Sequence, residues 1–177
     1  VDARRQHERG WTLIEMAMVI IVFAIVATIG ARLMSTMFLS YFTARDITSS
    51  DAQARVAFER MTRELRQIRS ATAADLDPAS TAQVRFIDSD GNGVCFYRDA
   101  ATNRLMRSDD GPATACGATR PQPLSDFVTG LIFAYTVNDG RTTTAVPTAV
   151  YYVTVHVDVK DNNVSDTLRA TIHPRNF

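Results

Sequence analysis

The stretch Glu8–Ala31, ERGWTLIEMAMVIIVFAIVATIGA, puts a carboxylate at Glu15 just inside an otherwise apolar run. Its reading decides the fold, because it determines whether the chain begins with a cleaved export signal, a plain anchor or something more specific. A secretory signal needs a basic start, a short apolar core and a small-x-small cleavage site. Arg4, Arg5 and Arg9 supply the start, but Ala31 is preceded by Gly30 and Ile29, a poor match to such a site. A membrane-spanning helix needs about 20 apolar residues, which Trp11–Ala31 provides. The arginines before it and the polar bulk after it orient the N-terminus toward the cytoplasm. Neither reading explains Glu15, since a carboxylate deep in a bilayer costs about 2.5–3.5 kcal/mol.

Beyond this segment the chain alternates between apolar and wet surfaces. Leu33, Met34, Met37, Phe38, Leu39, Tyr41 and Phe42 extend the apolar character with polar residues threaded through it. Ala54, Phe58, Met61, Leu65 and Ile68 then recur at helical spacing, which predicts one buried stripe of an amphipathic helix. Glu59 with Arg63 and Arg60 with Glu64 stand four apart on its other faces. Read as one piece, the helix runs from about Thr12 to Ala71. Ser50 with Gln53 offers a capping box that would start a fresh helix, so a break near Ser49 is the alternative.

After Ala71 the pattern becomes that of a β-rich head. The segment ATAADLDPAST, Ala71–Thr81, reads as a linker. Strands are expected at Gln83–Ile87, Val94–Arg98, Arg104–Arg107, Gly130–Val137, Ala149–Val159 and Thr167–His173. The clearest is AVYYVTVHVDV, where Val153, Val155, Val157 and Val159 alternate with polar residues. Asp161-Asn162-Asn163 then supplies a turn to the returning strand. The fold class is therefore α+β, a long N-terminal helix packed on a predominantly antiparallel sheet. Nineteen basic residues balance nineteen acidic ones, so no net charge draws the chain toward nucleic acid or acidic lipid.

The segment Arg9–Ala27, RGWTLIEMAMVIIVFAIVA, resembles the N-terminal signature of type IV prepilins and the pseudopilins of type II secretion. That family has a basic leader ending in Gly, an aromatic residue, Thr-Leu-Ile-Glu and a long apolar helix. Here Trp11 stands where the family usually has Phe. The resemblance implies a cytoplasmic leader over residues 1–10, cleaved by prepilin peptidase between Gly10 and Trp11, with N-methylation of Trp11. It implies a helix over residues 11–71, spanning the inner membrane at about 11–31, and a periplasmic head over 72–177. Glu15 would neutralise the terminal amine of a neighbouring subunit, or its own, as helices pack into a filament. Other pilins or pseudopilins would be the partners, met through that helix. LSDFVTGLIFAY, Leu124–Tyr135, looks most like the J-type minor pseudopilins or the W- and MSHA-type minor pilins. The implied role is structural and assembly-directing, in a type IV pilus or a type II secretion pseudopilus.

Cys95 and Cys116 are the only cysteines, and in an oxidising periplasm a pair is expected to be bridged. In DSDGNGVCFYRD, Asp88, Asp90, Asn92 and Gly93 match the first half of a calcium loop, and Asp99 occupies its twelfth position. The flanks read as strands and the closing glutamate is an aspartate, so a hairpin turn explains the same residues without Ca²⁺. His7, His156 and His173 are scattered, and no Ser-His-Asp spacing or phosphate-cradling loop is present, so no enzyme is expected. Asn163-Val164-Ser165 matches a glycosylation acceptor inside a tight turn. The rival reading is a single-pass, membrane-anchored periplasmic module that binds calcium or another ligand and never joins a filament.

Overall fold

The computed structural model describes residues 11–161 and 164–177 and shows an α+β chain. Helix α1 covers Leu13–Leu65. Eight strands follow, β1 (Leu76–Asp77), β2 (Gln83–Ile87), β3 (Gly93–Asp99), β4 (Arg104–Ser108), β5 (Gln122–Ser125), β6 (Val128–Thr136), β7 (Tyr152–Asp161) and β8 (Val164–Ile172). The chain divides into two compact units, Val1–Arg45 and Asp46–Phe177.

All pairings in the second unit are antiparallel, but they form two sheets rather than the one expected. β1-β2-β3-β4-β5 make a five-stranded sheet and β6-β7-β8 a three-stranded one. Phe133 donates its N–H to the Thr81 carbonyl at 2.7 Å and Val128 donates to Asn103 at 2.8 Å, so β6 meets the ends of the first sheet. One shared core follows. Ala54, Ala57, Met61 and Leu65 from the helix lie against Val84, Phe86, Phe96 and Leu105 of one sheet and Phe133, Val153, Val155 and Val157 of the other. The helical spacing in the sequence finds its burial here, with Phe58 only partly covered. The Arg60–Glu64 pair forms at 2.8 Å, whereas Glu59 and Arg63 make no ion pair among the described residues.

The helix does not break near Ser49. Ser50 makes no cap. Its hydroxyl is buried and donates to the Asp161 carboxylate at 2.7 Å, tying the helix to the end of β7. The helix stops at Leu65 rather than Ala71 because Ile68 is drawn into a bridge with Asp88. The Arg66 carbonyl accepts from Arg175 N–H at 3.1 Å, and the Ile68 carbonyl accepts from the Asn176 side-chain amide at 3.3 Å. Carbonyls orphaned at a helix end are thus satisfied by the last residues of the chain.

The segment expected to be a linker is pinned. Asp75, 4 % exposed, accepts from Arg69 Nε at 2.9 Å and from the Ser70 hydroxyl at 2.5 Å. The hydrogen bonds from Arg69 hold its carboxyl below the ordinary value of 3.8, against burial that pushes it up. A depressed carboxylate contributes stability above its unfolded pKa and loses it as pH falls through the folded one. Denaturant midpoints are therefore expected to hold near neutral pH and to fall below about pH 4. Asp75→Asn should cost about 1.5–3 kcal/mol near neutrality and flatten that acid limb. An unchanged midpoint in the variant would contradict this account.

Candidate assembly site

Every described residue from 11 to 45 is exposed. These include Trp11, Ile14, Val19, Ile20, Phe23, Ile25, Leu33, Phe38 and Phe42, which lie on all sides of the helix. Soluble monomers rarely expose contiguous apolar patches above a few hundred Å². Among the described residues, α1 alone is long and apolar enough to cross a membrane. Several hydroxyls in this segment are internally satisfied. Thr28 donates to the Ala24 carbonyl at 2.6 Å, Thr36 to Arg32 at 3.0 Å and Thr43 to Leu39 at 2.9 Å. Such back-bonding removes the cost of placing a hydroxyl where no water can reach it.

Glu15 sits in the first turn of α1. Thr12 precedes the helix, and its side-chain oxygen accepts from the Glu15 backbone N–H at 3.3 Å. Its carbonyl also accepts from Glu15 at 3.1 Å and from Met16 at 3.2 Å. Thr12 is therefore an N-cap, and Thr12-Leu-Ile-Glu15 is the sequence of a capping box. A carboxylate in the first turn also meets the positive end of the helix dipole. Sequence reasoning missed this local role, although Thr followed three residues later by Glu carries the signal. Gly10 lies outside the described residues; Trp11, its neighbour across the expected scissile bond, is 65 % exposed.

The Cys95–Cys116 disulfide is formed, with Cα atoms 5.7 Å apart. Cys95 lies on β3, the central strand of the five-stranded sheet, opposite Arg85 and Ser108. The bridge holds the loop after β4 across the face of this sheet that looks away from the core. Arg85 donates to the Thr114 carbonyl at 3.1 Å, and Gly117 N–H donates to the Ser108 hydroxyl at 3.0 Å. Asp110, 1 % exposed, accepts from Ala118 and Thr119 N–H at 3.1 and 3.3 Å. Burial pushes its carboxyl up, but hydrogen bonds from Ser108, Thr119 and Gly117 more than offset that and hold it low. The strap explains why Val94, Cys95 and Phe96 are buried consecutively on β3. It also needs Gly93, where a Cβ would stand 2.5 Å from Gly111 N.

The calcium-loop residues are only partly brought together. Asp88, Asp90 and Asn92 share the β2–β3 turn, with Gly91 in the left-handed region at φ 88°. The Asp88 carboxylate faces inward, accepting from the N–H groups of Asp90 and Asn92 at 3.0 and 2.8 Å. Asp99 is at the other end of β3, roughly 20 Å along an extended strand. There it accepts from Ala101 N–H and the Thr102 hydroxyl, caps of the next turn. Among the described residues, no group of three or more His, Cys, Asp or Glu side chains is placed to hold a metal. His156 is half-buried on β7, and His173 packs edge-on to Tyr151 with ring centroids 4.2 Å apart. Asn162 and Asn163, the expected turn and glycosylation acceptor, lie outside the described residues. The chain matches no protein-family model and is similar to no curated protein.

Proposed function

We propose that the chain is a minor pilin or minor pseudopilin, a structural, assembly-directing subunit of a type IV pilus or type II secretion pseudopilus. The observation that carries this reading is the segment 11–45, apolar and exposed on every side, with one carboxylate in its first turn. Residues 11–31 span the inner membrane with the preceding residues in the cytoplasm, and the β-rich head lies in the periplasm. Prepilin peptidase cuts between Gly10 and Trp11 and methylates the new terminus. The helix then leaves lipid by packing against the corresponding helices of other subunits, with Glu15 meeting a terminal amine. An unpaired charge is expensive in a low-dielectric bundle, so the pair fixes axial register more than it adds net stability. Gly30, a residue without a side chain on the exposed helix, would let the backbone of another helix approach closely.

Cross-linking tests this reading against the anchored binding module. With Ile21→Cys in the cell membrane, oxidation is expected to join the chain to other helices in species larger than a monomer. A pattern of monomers alone would favour the anchored module. Calorimetric titration with Ca²⁺ then tests that rival directly, a saturable heat supporting a calcium-binding head.

A further inference from the structure

In the head, an acid or its amide stands immediately before a glycine at Asp90–Gly91, Asn92–Gly93, Asp110–Gly111 and Asp139–Gly140. Glycine has no Cβ to shield its nitrogen. At such a junction that nitrogen can reach the side-chain carbonyl carbon of the residue before it, unless the fold holds one of the two.

At three of the junctions the fold does so. Gly91 donates its N–H to the Asp88 carbonyl at 3.0 Å. Asp110 is 1 % exposed, and its carboxylate accepts from Ala118 and Thr119 N–H. Gly140 donates to the Val137 carbonyl at 2.9 Å. The Asp139 carboxylate accepts from the Thr142 hydroxyl at 2.5 Å and from Arg141 and Thr142 N–H at 2.8 Å. These bonds, the Thr142 hydroxyl foremost, hold its carboxyl below the ordinary value of 3.8, so it stays ionised and a poor electrophile.

Asn92–Gly93 is held at neither end. Asn92 is exposed, and its side-chain amide reaches the Asp88 carboxylate only at 3.3 and 3.4 Å, beyond the ordinary range. Across the β2–β3 pair, Ile87 gives its N–H to the Asp75 carbonyl at 2.8 Å, and its carbonyl accepts from Arg69 at 2.9 Å. Ile87 and Gly93 therefore face each other as a non-hydrogen-bonded pair. Gly93 N–H points away from β2 and has no hydrogen bond among the described residues. Its nitrogen can come round onto Asn92 Cγ without breaking a bond it already makes.

We propose that Asn92 is a site of spontaneous covalent modification by its own backbone. The Gly93 nitrogen bonds to Asn92 Cγ, the Cγ–Nδ2 bond breaks, and the side-chain nitrogen leaves as ammonia with the proton from Gly93. Water then opens the cyclic imide at either carbonyl. One opening leaves aspartate at 92, and the other leaves isoaspartate, with the main chain running through Cγ. Either product adds a carboxylate to the turn that carries Asp88 and Asp90. Isoaspartate also lengthens the main chain beside Gly93, where a Cβ would already stand 2.5 Å from Gly111 N.

The test incubates the full chain in detergent micelles, in mildly alkaline buffer made with oxygen-18 water, beside a portion unfolded in guanidinium chloride. Peptide mass analysis counts the labelled oxygen gained at each junction. Asn92 is expected to convert in the folded chain at a rate comparable with the unfolded one, with release of ammonia. Folding should slow Asp90, Asp110 and Asp139 several-fold. Asn92→Gln, whose longer side chain must close a larger ring, should lose the product. Asn92 intact in the folded chain while it converts in the unfolded one overturns the proposal. So does folding that slows Asn92 as much as Asp110, or label gained at position 92 undiminished in Asn92→Gln.

Discussion

Cys116→Ser is expected to lower the stability of the head by about 3 kcal/mol, and Cys95→Ser by more. The bridge spans 21 residues of sequence, and opening a loop of that size returns conformational freedom chiefly to the unfolded chain. The two variants differ because the two sites differ. Cys95 is fully buried in the central strand, whereas Cys116 is half-buried in the strap. Serine at 95 therefore adds a buried hydroxyl without an assigned partner, at a further cost of about 1–3 kcal/mol. Denaturant titration with and without reductant measures both effects. The unaltered protein under reductant should match Cys116→Ser, and hydrogen exchange should accelerate between Asp109 and Pro121. An unchanged midpoint under full reduction would show that Asp110 and Arg85 hold the strap without the bridge.

Glu15→Ala is expected to leave membrane insertion intact and to reduce filament incorporation by about two orders of magnitude. An amine left unpaired at bilayer depth costs about 2.5–3.5 kcal/mol, and each 1.4 kcal/mol is about tenfold. The Thr12 cap complicates this, because a carboxylate in the first turn also contributes roughly 0.3–1 kcal/mol to the helix. Glu15→Gln separates the two roles, since it keeps the shape and hydrogen-bonding capacity of a capping-box residue but carries no charge. Both variants should fail to incorporate, measured as their fraction in sheared filaments against the membrane pool. Normal incorporation of Gln with failure of Ala would reduce Glu15 to a helix cap. Normal incorporation of both would remove its assembly role.

The elements that were legible in the sequence are those with strong local patterns. Valines alternating through Val153–Val159 fixed β7, and apolar spacing from Ala54 to Leu65 fixed the buried face of α1. What the sequence hid depends on distant partners. β1 is two residues long and β5 contains Pro123, which reads as a breaker and is tolerated there because β5 is an edge strand. The expected strand from Ala149 begins only at Tyr152, because Pro147–Ala149 forms a 3-10 turn. Ser50 has the composition of a cap, yet its hydroxyl is taken by Asp161, 111 positions away. Division into two sheets has the same cause, since the bonds of β6 to Thr81 and Asn103 leave no local trace. At the candidate assembly site, Glu15 stood out because its charge was out of place, whereas Thr12 passed as ordinary. The spacing of Asp88 to Asp99 suggested proximity that an intervening strand prevents.

Central to the proposed function is the pairing of the Glu15 carboxylate with a free amine that processing would create at Trp11, and intact-mass and peptide analysis of the protein purified from its cells tests it most directly. The account predicts a chain that begins at Trp11 and carries an N-methyl group. Recovery of peptides that still run from Arg9 through Gly10 into Trp11, with no methylated terminus, would contradict it.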